Sequence, residues 1–406
     1  SFDMGGTSAK VGTVRGRIPE VVPEYEVAGT IHMGRLVKGS GYPVRFPFID
    51  LAECSAGGGT IAREHNGSLQ VGPISAGALP GPACYGRGGS EATITDANLV
   101  LGRLNPGELL GGEMKVHPGN AEKVYRELGS RLGVDEYEAA VSVIRIANSM
   151  MGKILRIVSV ERGYDPRDFS LVAFGGAGPM HVCALAEELE INRVMLPRNP
   201  GMFSALGLLT ADLFHDYSNP VLSETDDVDS DSVEELFLMM EERGRGTLEL
   251  ESVPESRHRF LRTLDMRYRG QGFELNVETS GRFTVESIKD VLTGFHGKHM
   301  EVYGYMDEGE SVEIVNAKLR AIGLLETPGL VDRGLMGRSN PRETRRVYFE
   351  SLGDWADTGV YDRRGLGKEV EGPAIVEQYD STTVVYPGWT LRQDCNGIMS
   401  LRRIRK

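Results

Sequence analysis

No run of 18 or more apolar residues occurs anywhere in this chain of 406, so no segment is long enough to cross a bilayer as a helix. Cysteine is scarce. The four present, Cys54, Cys84, Cys183 and Cys395, are widely spaced and include no C-x-x-C pair, which excludes a disulfide framework and a zinc knuckle. A reduced, cytoplasmic protein is expected. Basic charge is in deficit: 45 Lys and Arg stand against 58 Asp and Glu, a net charge of −13. That balance argues against nucleic acid or an anionic membrane as the main partner, while leaving room for a locally basic nucleotide cleft. No repeat of fixed period and no signal peptide are visible. An initiator methionine is also missing; the chain opens at Ser1 inside a motif, and an N-terminus further upstream is expected.

What the chain has in quantity is glycine, 52 residues of it. The first occur in Asp3-Met4-Gly5-Gly6-Thr7-Ser8, a tight turn suited to phosphate. Residues without side chains let backbone N–H groups approach an anion, the hydroxyls add donors, and Asp3 can hold a magnesium ion directly or through water. Val11, Thr13 and Val14 suit a returning strand, which makes the turn a hairpin tip. Residues 39–90 are dense in glycine and proline, as in Ser55-Ala56-Gly57-Gly58-Gly59-Thr60, but interleave apolar pieces such as Phe46-Pro47-Phe48-Ile49. Close-packed loops beside a ligand are expected there.

The chain is long enough for two or three domains. Apolar residues at three- and four-residue steps predict a helix over Tyr137–Arg162, capped by Asp135 with Glu138 and stopped by Gly163. A buried strand over Phe169–Phe174 then runs into Gly175-Gly176-Ala177-Gly178, Pro179, a helix over Met180–Leu189 and a strand at Arg193–Leu196. This strand–turn–helix–strand unit has the geometry of a nucleotide site. An acidic run, Glu224 to Glu235, reads as a solvated boundary, not a metal site. Beyond it the pattern predicts a helix (232–250), strands (259–269, 272–279), a helix (285–303) and a strand (312–325). From about residue 340 short strands dominate.

Together these segments resemble the hydantoinase A / 5-oxoprolinase family over essentially the whole chain. The resemblance is carried by Phe2–Ser8, Ser55–Ala62, Ser75–Gly86, Thr95-Asp96-Ala97-Asn98, Phe174–Pro179, Ser204–Leu209, Met266–Gln271 and Gly372–Ile375, in the family's order. It implies an α/β chain: an actin-like, sugar-kinase-like (ribonuclease-H-like) ATPase domain over 1–218, an α+β domain over 219–335 and a β-rich C-terminal domain over 336–406. In that fold two related lobes close on ATP, each with a phosphate hairpin. Family members carry two D-x-G-G-T turns, and this chain has only the second. The resemblance therefore implies the C-terminal half or two-thirds of a family member, whose first lobe lies upstream or on a partner.

Similar proteins hydrolyse hydantoins or 5-oxoproline with ATP, and relatives carboxylate ketones. The resemblance thus implies ATP-dependent hydrolysis of a cyclic amide with ATP and Mg²⁺ as cofactors, and a hydantoinase B-like subunit as partner in an oligomer. ATP-dependent ketone carboxylation and a non-catalytic assembly role are the alternatives. On this reading Asp3 positions Mg²⁺ or water; Gly5, Gly6, Thr7 and Ser8 hold the β- and γ-phosphates; and Gly175, Gly176, Ala177 and Gly178 pass beneath the adenosine. Asp96 is a second metal or ribose contact, or else an Asx turn or helix cap. Lys10 stands where many relatives have Asp, and either reaches phosphate or lies on the outer face of the hairpin. Asp380-Ser381-Thr382-Thr383 is an internal echo of the turn, but without glycines it cannot bring backbone amides onto phosphate. His296 and His299, three apart on one helix, fit a metal pair or a packing pair. His181 and Cys84 are read as structural ahead of catalytic.

Overall fold

The computed structural model describes residues 1–22, 25–27, 31–32, 35–36, 40–44, 48–326, 340–367 and 369–404. Gly39, Phe46-Pro47 and residues 336–339, which the sequence reading used, lie outside the described residues. The chain forms two compact units, 1–206 with 331–406, and 207–330. The β-rich segment expected as a third domain therefore belongs to the first unit.

The first unit is built on an eight-stranded sheet. Its strands, in chain order, are β1 (Phe2–Met4), β2 (Ala9–Gly12), β3 (Leu51–Cys54), β4 (Leu171–Phe174), β5 (Arg193–Leu196), β6 (Glu369–Glu371), β7 (Trp389–Gln393) and β8 (Met399–Arg403). Across the sheet they run β3-β2-β1-β4-β5-β8-β7-β6. β1 pairs in parallel with β4, and β4 with β5, whereas β8 closes antiparallel on β5, with Val194 opposite Leu401. That last pairing makes the C-terminal segment part of the sheet. Its signal was hidden because a short strand records its own alternation, not its partner.

Four helices pack with this sheet: α1 (Ile94–Val100), α2 (Pro118–Leu132), α3 (Glu136–Ile157) and α4 (Gly178–Glu188). α3 is the long helix expected from periodicity. The side chain of Asp135 caps it, accepting from the Glu138 N–H at 2.7 Å. Its buried stripe of Ala140, Ile144, Ala147, Met151 and Leu155 joins Phe2, Met4, Val194 and Leu401 in one core. Gly163 closes a separate short turn, Val160–Arg162, so the helix ends earlier than expected. A second sheet of this unit has the order Glu343–Phe349, Asp354–Asp362, Ala374–Glu377, Thr382–Val385.

The second unit holds a four-stranded antiparallel sheet with strand order Leu213–Glu224, Val312–Gly323, His258–Tyr268, Leu275–Thr279. Along Val312–Gly323 the buried residues alternate, with Ile314, Ala317, Leu319 and Ala321 facing the core, the period of a half-covered sheet. Helices Ser230–Leu250 and Val285–Tyr303 contribute Phe237, Met240, Val291 and Phe295 to that core. No helix among the described residues is long and apolar enough to cross a membrane.

Candidate active site

Asp3 sits between Phe2 and Met4, whose side chains are fully buried, so it projects from the opposite face of β1. The chain then turns through Gly5–Ser8, where the Gly5 N–H donates to the Ser8 carbonyl at 3.2 Å. A second loop, Gly57-Gly58-Gly59, backs this turn. Gly58 N–H donates to Gly5 O at 2.9 Å and Gly59 N–H to Gly6 O at 2.6 Å. A Cβ on Gly57 would lie 2.4 Å from the Thr7 carbonyl carbon, so only glycine permits the approach. Cβ atoms on Gly5 and Gly6 would meet nothing within 4 Å; the turn leaves open space in front of it.

The Gly175–Gly178 turn lies alongside. β1 and β4 run parallel, so both turns leave the sheet at the carboxyl ends of neighbouring strands, where open α/β sheets bind ligands. Ala177 N–H donates to Met4 O at 3.0 Å, and Gly175 N–H to Pro200 O at 2.8 Å. Gly175 has φ +79°, a conformation glycine adopts without cost. Beyond the turn, α4 presents its N-terminus, with Pro179 at the second helical position.

These turns open on a cleft of about 630 Å³. Gly5, Gly6, Gly176 and Ala177 line it, together with Gly58 and Thr95 behind the first turn. Leu104, Leu109, Leu110, Met114 and Met180 supply an apolar part, and Arg342 with residues Glu377 to Thr382 supplies a polar part. Thr7, Ser8, Gly175 and Gly178 are not among the lining residues. Gly178 packs on Phe2 and Gly175 beneath Asp3, so half of the predicted set shapes the turns from behind. Asp3 is also outside the lining; its Oδ2 accepts from Ser204 Oγ at 3.2 Å.

Asp96 is placed elsewhere, which corrects its assignment as a catalytic or ribose-binding group. It is fully buried at the third position of α1 in a capping box with Thr93. Oδ1 accepts from Cys84 N–H at 2.8 Å. Oδ2 accepts from Ala83 N–H, Thr93 N–H and Thr93 Oγ1 at 3.1, 3.2 and 2.8 Å. The carboxylate ties the 83–85 turn to α1, and burial pushes its pKa up. Cys84 is fully buried beside it, and burial with the nearby carboxylate pushes the thiol far above its ordinary range, so it is no nucleophile.

His181 is fully buried on α4, its Nδ1 paired with Asn148 Oδ1 at 2.8 Å and Nε2 with Asn98 Nδ2 at 3.4 Å. Burial and the charge of Arg103 lower its pKa to about 3, so it is a neutral packing group. In the second unit His299 donates from Nδ1 to Tyr305 O at 2.7 Å and is edge-on to Tyr268, while His296 Nδ1 meets the Tyr268 hydroxyl at 2.8 Å. No trio of metal-ligating side chains occurs among the described residues. Lys10 faces Glu53 on β3 at 3.8 Å, half exposed.

The sequence profile of the hydantoinase/oxoprolinase family matches residues 1–217, and that of the hydantoinase/oxoprolinase C-terminal domain matches 223–404. The chain belongs to the hydantoinase/oxoprolinase family. Among its relatives, an uncharacterized protein of Methanocaldococcus jannaschii is 47% identical over 99% of this chain and 58% of its own. The caprolactamase alpha subunit of Pseudomonas jessenii is 34% identical over 97% and 56%. The acetophenone carboxylase gamma subunit of Aromatoleum aromaticum is 32% identical over 99% and 56%. The crystal structure of the ATP-dependent caprolactamase superposes with a TM-score of 0.78 at 33% identity, covering 100% of this chain and 58% of that one. Nucleotide-free acetone carboxylase, at 24% identity, shares the fold with a TM-score of 0.82, covering 99% of this chain and 58% of that one. This member of the hydantoinase/oxoprolinase family thus spans a little over half the length of the relatives it matches.

Residues 377–382 and Arg342 are the part of this site that sequence reasoning missed. The Asp380-Ser381-Thr382 echo was visible, but it was dismissed for lacking glycines. Nothing local in the sequence reports that a hairpin from the second sheet would line the same cleft as Gly5 and Gly176.

Proposed function

We propose that this chain carries the ATP-using part of an enzyme that hydrolyses a cyclic amide, of the hydantoin, 5-oxoproline or lactam type. One observation carries the reading: two glycine turns leave adjacent parallel strands side by side and open on one cleft. The Cβ positions of Gly5 and Gly6 are open space, the cradle a polyphosphate requires against backbone N–H groups. Arg342 adds positive charge to the opposite wall. Mg²⁺ keeps several waters and takes one or two carboxylates plus phosphate oxygens, so the absence of a three-ligand cluster among the described residues fits it, with Asp3 as the protein ligand.

A lactam carbonyl is a poor electrophile, and ATP supplies a phosphoryl group that converts its oxygen into a leaving group. The chain's own residues orient and neutralise. The Gly5–Ser8 turn and Gly176-Ala177 hold the phosphates, Asp3 orients the metal or water, and Ser204 holds Asp3. The caprolactamase relative supports the substrate class, and the words "alpha subunit" and "gamma subunit" among the relatives support a multi-subunit assembly, which we take to include a hydantoinase B-like partner. We place that assembly in the cytoplasm, where ATP is at hand.

The test supplies the native assembly with Mg²⁺, ATP and a panel of hydantoins, 5-oxoproline and caprolactam. Substrate-stimulated phosphate release is expected, and its absence across the panel overturns the reading. The acetophenone carboxylase relative supports a second reading, ATP-dependent carboxylation of a ketone. ATP turnover that requires both bicarbonate and a ketone selects it.

A further inference from the structure

The polar wall of the cleft contains a carboxylate held in place by a buried cation. The turn between strands Ala374–Glu377 and Thr382–Val385 closes through Gln378 N–H donating to Ser381 O at 3.1 Å. Within it, Asp380 Oδ2 accepts from Gly201 N–H at 2.8 Å, and Oδ1 accepts from the Gln378 side-chain amide. Gln378 is itself fixed, its Oε1 accepting from Arg363 Nη1. Arg363 is only 3% exposed, and its Nη2 donates to Pro197 O at 2.9 Å and Gly397 O at 2.6 Å. The chain Arg363–Gln378–Asp380 ends on a group lining the cleft.

Its neighbours narrow what it can bind. The Asp380 carbonyl oxygen is 3.6 Å from where a Cβ on Gly176 would sit, so the residue lies against the second glycine turn. A carboxylate repels phosphate and has no apolar face for a base. With one fixed protein donor on each oxygen it keeps lone pairs for two more hydrogen-bond donors. Vicinal hydroxyl groups match that demand. The neighbouring Ser381, 7% exposed and also lining the cleft, has a buried hydroxyl with no partner among the described residues.

We propose that Asp380 receives the ribose hydroxyl groups of the bound nucleotide, set in place by Gln378 and Gly201. The role first considered for Asp96 belongs to this residue. The inference rests on the nucleotide reading above, and its test separates the two. Calorimetry on the native assembly compares Mg-ATP with Mg-2′-deoxy-ATP and Mg-2′,3′-dideoxy-ATP, for the wild type and for Asp380→Asn. A hydrogen bond to a charged acceptor is worth about ten-fold or more in affinity. The wild type is therefore expected to prefer ATP over the dideoxy nucleotide by at least about ten-fold, and Asp380→Asn to lose most of that preference.

A wild type that binds all three nucleotides equally overturns the assignment and leaves the nucleotide reading standing. So does a variant that weakens all three in parallel, which marks a merely structural role. A wild type that binds none of them overturns the nucleotide reading itself, and the assignment with it. Where Asp380→Asn fails to fold, Gln378→Ala replaces it. Loss of the preset amide is expected to cut the preference for ribose several-fold, and an unchanged preference overturns the proposal.

Discussion

A Cβ placed on Gly175 would lie 2.5 Å from Oδ1 of Asp3, residues 172 positions apart in sequence. The two glycine turns are therefore one packed object. Gly175→Ala would also clash with the Met4 carbonyl at 2.3 Å and hold a φ of +79°. We expect it to cost about 3 kcal/mol in denaturant unfolding. Gly5→Ala, with nothing within 4 Å, is the contrast. It should change stability by less than about 1 kcal/mol yet reduce ATP turnover by filling the cradle.

Asp3→Asn keeps the shape of the side chain and its contact with Ser204 while removing the charge. In the native assembly, ATP turnover should fall by about a hundred-fold or more, with the melting temperature nearly unchanged. A turnover within a few-fold of wild type would remove Asp3 from the chemistry.

Asp96→Ala should behave in the opposite way. It strips the acceptor from the N–H groups of Ala83, Cys84 and Thr93 in a fully buried setting, and each stranded donor is worth about 1–3 kcal/mol. Thermal unfolding should show a loss of at least about 3 kcal/mol. Folded variant that survives should retain its nucleotide preference.

Stability should fall as the solution is acidified, in a window set by His181. Its folded pKa, lowered to about 3, lies below the ordinary imidazole value of 6.5, so the unfolded chain binds the extra proton first. The contribution is whole above pH 6.5 and is lost progressively toward pH 3. Urea titrations between pH 4 and 7 on the wild type and His181→Gln check it, the variant giving the flatter profile.

Thiol labelling should find one fast cysteine. Cys395 is exposed, whereas Cys54, Cys84 and Cys183 are buried. Burial raises the pKa of Cys54 to about 11 and of Cys183 to about 12, so neither offers thiolate at neutral pH. Ellman's reagent should titrate one equivalent in the native protein and four in guanidinium.

Much of the local structure was legible. The periodicity of Ala140, Ile144, Ala147 and Met151 marked α3, and the Phe174–Pro179 run marked a strand, turn and helix, because such signals repeat within a few residues. The two glycine turns were legible as turns, and their convergence on one cleft came with the family resemblance. The lining role of Glu377–Thr382 was not, because the hairpin carries no glycine and its meaning lies in what it faces. Nor was the second, buried function of the glycines. Gly57 and Gly175 serve backbone packing, and Gly5 and Gly6 the cleft, a difference that only their neighbours reveal.

The sequence by itself determined the elements, the two turns and the family, since each is written in short-range spacing and in blocks of fixed order. The tertiary structure decided which carboxylates do what. Asp96 went to a capping box because four donors surround it there. Asp380 came to the cleft because Arg363, Gln378 and Gly201, brought together only by the fold, hold it at the wall. A carboxylate looks the same in any sequence; its donors, burial and neighbours make it structural or functional, and those are long-range properties of the folded chain.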